Sequence, residues 1–259
     1  MKNMKCEMSR AKRTGFMFVF LLFAVVSLFA TPSAIIWTPC TTSIQAYLKG
    51  QIDYDTYVRD TSMLPVDYGF TVGVLPFSQV QAEIGYDALL PVFSPQTFKD
   101  ANYFNAKIGT PEGTLLPIGF TAGIFDLGID SNVTNFNVFH AEIGKTFDYV
   151  GNICIGGYTG NDKLLINDNG KVNNSGFMAS WTSVPFGKFS ICADYMSGNN
   201  ALSAFSVAGT ATFADNATLL TGPVFPLSKQ YAGSSKMLWT VQASLDFDII
   251  PPAPAPAAK

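Results

Sequence analysis

From about residue 43 onward the chain alternates apolar and polar residues with a period of two. That pattern demands strands with two unlike faces. The stretch 236–247 shows it best. Met237, Trp239, Val241, Ala243, Leu245 and Phe247 fall on one face, and Thr240, Gln242, Ser244 and Asp246 on the other. Tyr68, Phe70, Val72 and Val74 oppose Gly69, Thr71 and Gly73 in the same way. So do Val80, Ala82, Ile84 and Tyr86 against Gln81, Glu83, Gly85 and Asp87. Read along the chain, the alternation predicts twelve strands at 43–55, 66–75, 79–88, 102–109, 115–126, 134–146, 150–159, 173–184, 188–197, 201–213, 216–225 and 236–247. Many have about ten residues, the length with which a tilted strand crosses a bilayer.

The connections alternate too. Short ones (76–78, 110–114, 147–149, 185–187, 214–215) interleave with longer ones (56–65, 89–101, 127–133, 160–172, 226–235), and 198–200 is the one short link in a long-loop position. In an up-and-down sheet every second connection lies on the same side, so short turns collect at one end and long loops at the other. Prolines fall in connections or near strand ends, where a missing ladder bond matters least.

Alternation alone leaves two closed forms open. A soluble barrel hides its apolar face, and a membrane barrel displays it. Three features favour the second. Charged residues make up only 14% of the chain, against roughly 25% in soluble domains, and the polar face is Gly-, Ser-, Thr- and Asn-rich. The apolar face mixes Ala with Ile, Val and Phe, which lipid tolerates because it fills gaps. Aromatics gather at strand ends. Phe77, Phe147, Phe186, Phe213 and Phe247 lie near the short turns, and Tyr68, Tyr86, Tyr195 and Trp239 toward the long loops. Two such belts match two bilayer interfaces.

The first 34 residues read as a signal peptide. Lys2, Lys5, Arg10, Lys12 and Arg13 precede the apolar run 15–30, and small residues follow at 30–34. An uncleaved anchor is the competing reading, since about 16 apolar residues approach the lower limit for a span. Residues 35–247 form the expected barrel. Residues 248–259, ending in PPAPAPAAK, form an extended tail. A net charge of −3 argues against a nucleic-acid partner.

A signal sequence, alternating strands and the closing segment 238–247 (LWTVQASLDF) resemble Gram-negative outer-membrane barrels of the porin-like type. The resemblance is one of pattern, over most of the mature chain. It implies an all-β, closed, up-and-down antiparallel transmembrane barrel of about twelve strands, an outer-membrane location and outer-membrane lipid as surroundings. It also implies a barrel-assembly machinery that reads a terminal aromatic, here Phe247. The tail beyond Phe247 departs from that pattern.

Strand parity places Lys49, Asp53, Glu83, Asp87, Lys107, His140, Glu142, Lys188, Asp194 and Asp246 on the inner face, with Glu83 and Lys107 near enough to pair. Charges in a membrane protein face water or each other. The set therefore describes either the mildly acidic lining of a passive channel for small solutes, or a blocked lumen in a structural or adhesion barrel whose loops do the work. His140 is the only histidine, and no nucleophile motif accompanies it, so catalysis is disfavoured. No cofactor or metal spacing is present. The oxygens of 161–170 fit no defined calcium loop. Cys154 and Cys192 fall on strands two apart, about 10 Å at the backbone, too far to bridge. They stay as thiols unless Cys40 folds back onto one of them. A short pattern recurs at 82–85 (AEIG), 106–109 (AKIG) and 141–144 (AEIG), each time with a charge on the polar face.

Overall fold

A computed structural model describes residues 34–58, 66–90, 102–232 and 235–250. Twelve strands form: β1 (Lys49–Val58), β2 (Val66–Gly73), β3 (Gln81–Leu90), β4 (Asn102–Thr110), β5 (Gly119–Gly128), β6 (Asn135–Phe147), β7 (Gly151–Thr159), β8 (Ser175–Thr182), β9 (Phe189–Met196), β10 (Ala204–Ala214), β11 (Ala217–Pro226) and β12 (Leu238–Asp248). Each pairs antiparallel with its neighbours in sequence. β1 closes the circle on β12 from Lys49↔Asp248 to Val58↔Trp239. The chain is therefore an all-β, up-and-down closed barrel.

The faces divide as the alternation requires. Phe70, Ile84, Phe120 and Phe205 point outward, and Ile155, central on β7, is 53% exposed. Glu83, Lys107, Glu142 and Asp194 are buried inside, the last at 2%. Aromatics close the two ends of the outer face. Phe77, Phe147, Phe186 and Phe213 are exposed at the short-turn end, where Phe186 stacks on Phe189 at 6.2 Å. Phe247 lies at the same end, 6.3 Å from Phe70 and over Gly50. Toward the long loops, Tyr68 packs on Tyr54, Tyr86 on Phe104 and Tyr195 on Phe177. There Trp239 turns its indole N–H to Thr221 Oγ1 at 2.9 Å. An apolar body with one polar handle suits a boundary between oil and water.

Two departures from the expected layout have physical causes. The first strand begins at Lys49, not at residue 43. Leu48 takes a left-handed φ of 59° and donates its N–H to Gly73 O, so the chain bends sharply there. Residues 34–45 do not join the wall but run inside it, and residues 46–48 lead out to its rim, where Tyr47 bridges Gly73. The second departure is a kink in β5. The β5–β6 register shifts between Phe125 and Leu127, and Asp126 between them sits at φ 53°. Bulges of this kind re-aim side chains. The last strand runs through Asp248, one residue past the expected boundary. The signal segment up to residue 33 and the tail from 251 lie outside the described residues.

The outward face generates a measurable expectation. Ile155→Lys, at the middle of the apolar band, should lower barrel stability in lipid vesicles by about 2–4 kcal/mol, and Phe186→Lys at the rim by about 0–1 kcal/mol. Equilibrium urea unfolding read by tryptophan fluorescence checks both values.

Candidate functional site

The lumen is organised around residues 34–48. A strand-free segment brings backbone groups that need partners, and the wall's polar residues supply them. At the upper level the N–H groups of Ile36, Trp37 and Thr38 converge on one oxygen of Asp194, at 3.1, 2.8 and 2.9 Å. Gln242 Nε2 donates to Ile36 O at 2.6 Å. The Trp37 indole donates to Leu202 O at 2.8 Å and packs edge-on against Tyr57. Midway, Ser180 Oγ donates to Cys40 O at 2.6 Å. Lower down, Lys107 Nζ reaches Thr41 O and Ser43 O at 3.5 and 3.4 Å. There Glu83 accepts the Gln45 N–H at 2.6 Å.

The recurring A-x-I-G pattern acquires a role here. Its central charges are Glu83, Lys107 and Glu142. Glu83 and Lys107 stand opposite each other on β3 and β4, 3.7 Å apart and almost fully buried, and both hold the segment. Glu142 accepts from Thr121 Oγ1 at 2.8 Å, and the same hydroxyl lies 3.3 Å from Thr41 O. Its other oxygen meets His140 Nδ1 at 2.6 Å. The Thr121 hydroxyl thus contacts the carboxylate and a main-chain carbonyl, not the imidazole, which is not the arrangement of a nucleophile beside its base. Glycines make the room. A Cβ at Gly73 would stand 2.0 Å from Ala46 O, and one at Gly119 or Gly144 2.6 Å from Thr42 Oγ1.

Around the segment the lumen has three sectors. Between β6 and β9 it is filled by apolar side chains. Cys40, Val138, Cys154, Tyr158, Met178 and Met196 pack together there, joined by Leu165 and Leu202 from the long-loop end. Beside β1–β6 lies a cavity of about 140 Å³ bordered by Asp53, Asp55, Asp67, Asp87, Lys107 and His140. Beside β8–β12 lies one of about 160 Å³, lined by hydroxyls such as Thr182, Ser190, Thr210 and Thr212. Gln51, Gln242 and Ser244 border both cavities. Space of this size holds several waters, each of which takes about 30 Å³ in the liquid.

Eight of the ten charged residues expected on the inner face lie within the lumen. Asp246 accepts from Gln45 and Gln51 at 3.4 and 3.1 Å, and Asp87 accepts from Asn105. Lys49 and Lys188 are corrections. Both are exposed at the short-turn rim, Lys49 paired with Asp248 at 2.6 Å and Lys188 directed to Phe213 O. Parity assigns a face but not a depth, and both sit beyond the covered part of their strands. Asp55 and Asp67 escaped the sequence reading although their parity matches that of Asp53 and Gly69. Asp126, which interacts electrostatically with Asp67 and Asp87, escaped it because the bulge breaks the count. Among the described residues no group of three potential ligands could hold a metal ion.

No protein-family profile matches the chain, and no curated protein does. Among solved structures, a mutant of Rh. blastica porin aligns with a TM-score of 0.41 and 11% identity, over 70% of this chain and 55% of that one. A triple mutant of Rhodopseudomonas blastica porin aligns with a TM-score of 0.40 and 12% identity over the same shares. The chain thus spans about half the length of the porins it matches.

The buried Glu83–Lys107 pair yields a test. Removing one partner strands a charge inside the wall, so Lys107→Met should cost about 3–5 kcal/mol, whereas Glu83→Gln combined with Lys107→Met should recover much of that loss. A double-mutant cycle in urea measures the coupling.

Proposed function

We propose that this chain is an outer-membrane barrel that passes water and small solutes through a lumen narrowed by its own residues 34–45, with a preference for cations. The observation that carries the membrane reading is the inversion of the wall, with apolar side chains outside and ionisable ones within. A soluble barrel with this surface would expose a continuous hydrophobic belt far above the few hundred Å² ordinary monomers tolerate. Lipid covers such a belt, and closure leaves no unpaired strand edge in hydrocarbon.

The cation preference follows from the balance of charge beside β1–β6. Asp53, Asp55, Asp67 and Asp87 border that cavity against Lys107 and His140, and Lys107 is already matched by Glu83. An acidic lining draws cations and repels anions. Gln51, Gln242 and Ser244 border both the acidic and the hydroxyl-lined cavity, which favours a route beside the segment rather than through it.

A second reading has its own support. The segment is fastened along its whole length, so the resting lumen can equally be shut, with the long loops as the working surface. Planar-bilayer recording separates the two. The channel reading expects small discrete steps, a reversal potential of cationic sign in a potassium chloride gradient, and unit conductance raised severalfold when residues 35–46 are deleted. Silence from the intact chain with large steps from the deletion supports the shut barrel. Anion selectivity, or silence from both, overturns the conducting reading.

A further inference from the structure

Three cysteines lie among the described residues, all buried and all present as thiols. Their surroundings differ. Cys192 belongs to the wall on β9, with its Sγ 3.7 Å from Ala208 O and 3.9 Å from Thr210 Oγ1. Cys40 and Cys154 belong together. Cys40 lies midway along the lumen segment, and its carbonyl is held by Ser180 Oγ at 2.6 Å. Ser180 stands directly opposite Cys154 in the β7–β8 pairing. This places the two thiols together in one buried apolar cluster, neither with any exposed surface. No third side chain completes a metal-holding group around them among the described residues.

We propose that Cys40 and Cys154 close into a disulfide that pins the lumen segment to the barrel wall. The inference rests on the export proposed above, because the periplasm is oxidising and the cytosol is not. It does not depend on whether the lumen conducts. Both S–H bonds break and one Sγ–Sγ bond forms. The two protons and two electrons pass to the disulfide of a periplasmic thiol oxidase, which leaves as its dithiol. The burial of both sulfurs sets the timing. The bond forms before the wall has closed, and the finished barrel then shields it from reductants.

Competition with Cys192 is resolved by geometry. In the unfolded chain, loop entropy favours the shorter Cys154–Cys192 loop. That pair belongs to β7 and β9, whose backbones stand about 10 Å apart with β8 between them. A disulfide needs Cα atoms within about 7 Å. A chain carrying the wrong bridge cannot complete its barrel until exchange corrects it. Cys192 packs in a separate cluster with Ile36, Ala204, Ala208, Val224 and Leu238, whereas Cys40 and Cys154 share one, so theirs is the pair that the folded barrel brings together.

The test uses the full chain produced in a Gram-negative host and extracted from the outer-membrane fraction without reductant. Free thiols are alkylated with N-ethylmaleimide under denaturing conditions, and the digest is mapped by mass spectrometry. The expected result is one cross-linked peptide pair joining Cys40 to Cys154, with Cys192 alkylated. Cys192→Ser should leave the bridge intact, and Cys40→Ser should release Cys154 for alkylation. Outer-membrane protein with all three thiols alkylated, or with either bridge to Cys192, overturns the proposal while leaving the export reading standing. Recovery only from the soluble or inner-membrane fraction overturns export and the bridge together. The wild-type peptide map decides even where a variant fails to fold.

Discussion

The closing ladder between β1 and β12 is the interaction on which the rest depends. A strand in hydrocarbon has no water to satisfy its N–H and C=O groups, and each orphan costs several kcal/mol. Ten residue pairs from Lys49↔Asp248 to Val58↔Trp239 remove the last two edges at once. Once the sheet is a cylinder, every side chain must choose between the outer face and the lumen, and period-two sequence makes that choice. Slipping one strand by a single residue would turn its charges outward and its aromatics inward, so the alternation also fixes the register.

Closure creates a second problem, which the inside of the molecule solves. A twelve-stranded cylinder is too wide for its own inward side chains to fill, and Asp55, Asp67 and Asp126 line it beside the eight expected charged groups. Residues 34–45 occupy the middle and give several of those groups partners. Asp194 receives three main-chain N–H groups, Glu83 one, and Lys107 reaches two carbonyls. A buried charge is tolerated only where it is paired or hydrogen-bonded. The wall therefore holds the segment, and the segment neutralises much of the penalty of the wall's charges. The glycines at 73, 119 and 144 belong to the same arrangement, since a methyl group at any of them would strike the segment.

Most of the wall was legible in the sequence, because alternation is a local signal and the wall is built from it. The twelve strands and the inward direction of Glu83, Lys107, His140, Glu142 and Asp194 follow from counting by two. The lumen segment was not legible. Thr38, Pro39, Cys40, Thr41 and Thr42 have no period, nothing in an aperiodic run announces that it will be buried, and residues 43–48 read as the start of the first strand. The one trace was indirect: a charge repeated in the same four-residue setting on three strands, which the structure reveals as part of a docking surface. Asp126 was lost to a bulge that inserts one residue into the count. Lys49 and Lys188 were assigned to the right face of the wrong level, since parity carries no information about height along a strand.

The strength of that docking bears on how solutes could pass. Six of the hydrogen bonds to the segment involve the side chains of Asp194, Glu83 or Lys107. If each keeps only about 1 kcal/mol after exchange with water, lifting the segment out costs about 6 kcal/mol. A factor of ten per 1.4 kcal/mol then leaves fewer than about one molecule in 10⁴ open at any moment. Flux through so rare a state would be negligible beside flux through any standing gap. On the conducting reading, a passive route therefore runs past the docked segment, along Gln51, Gln242 and Ser244, which border both cavities. It is then those side chains, more than the acids above them, that set the largest solute able to cross.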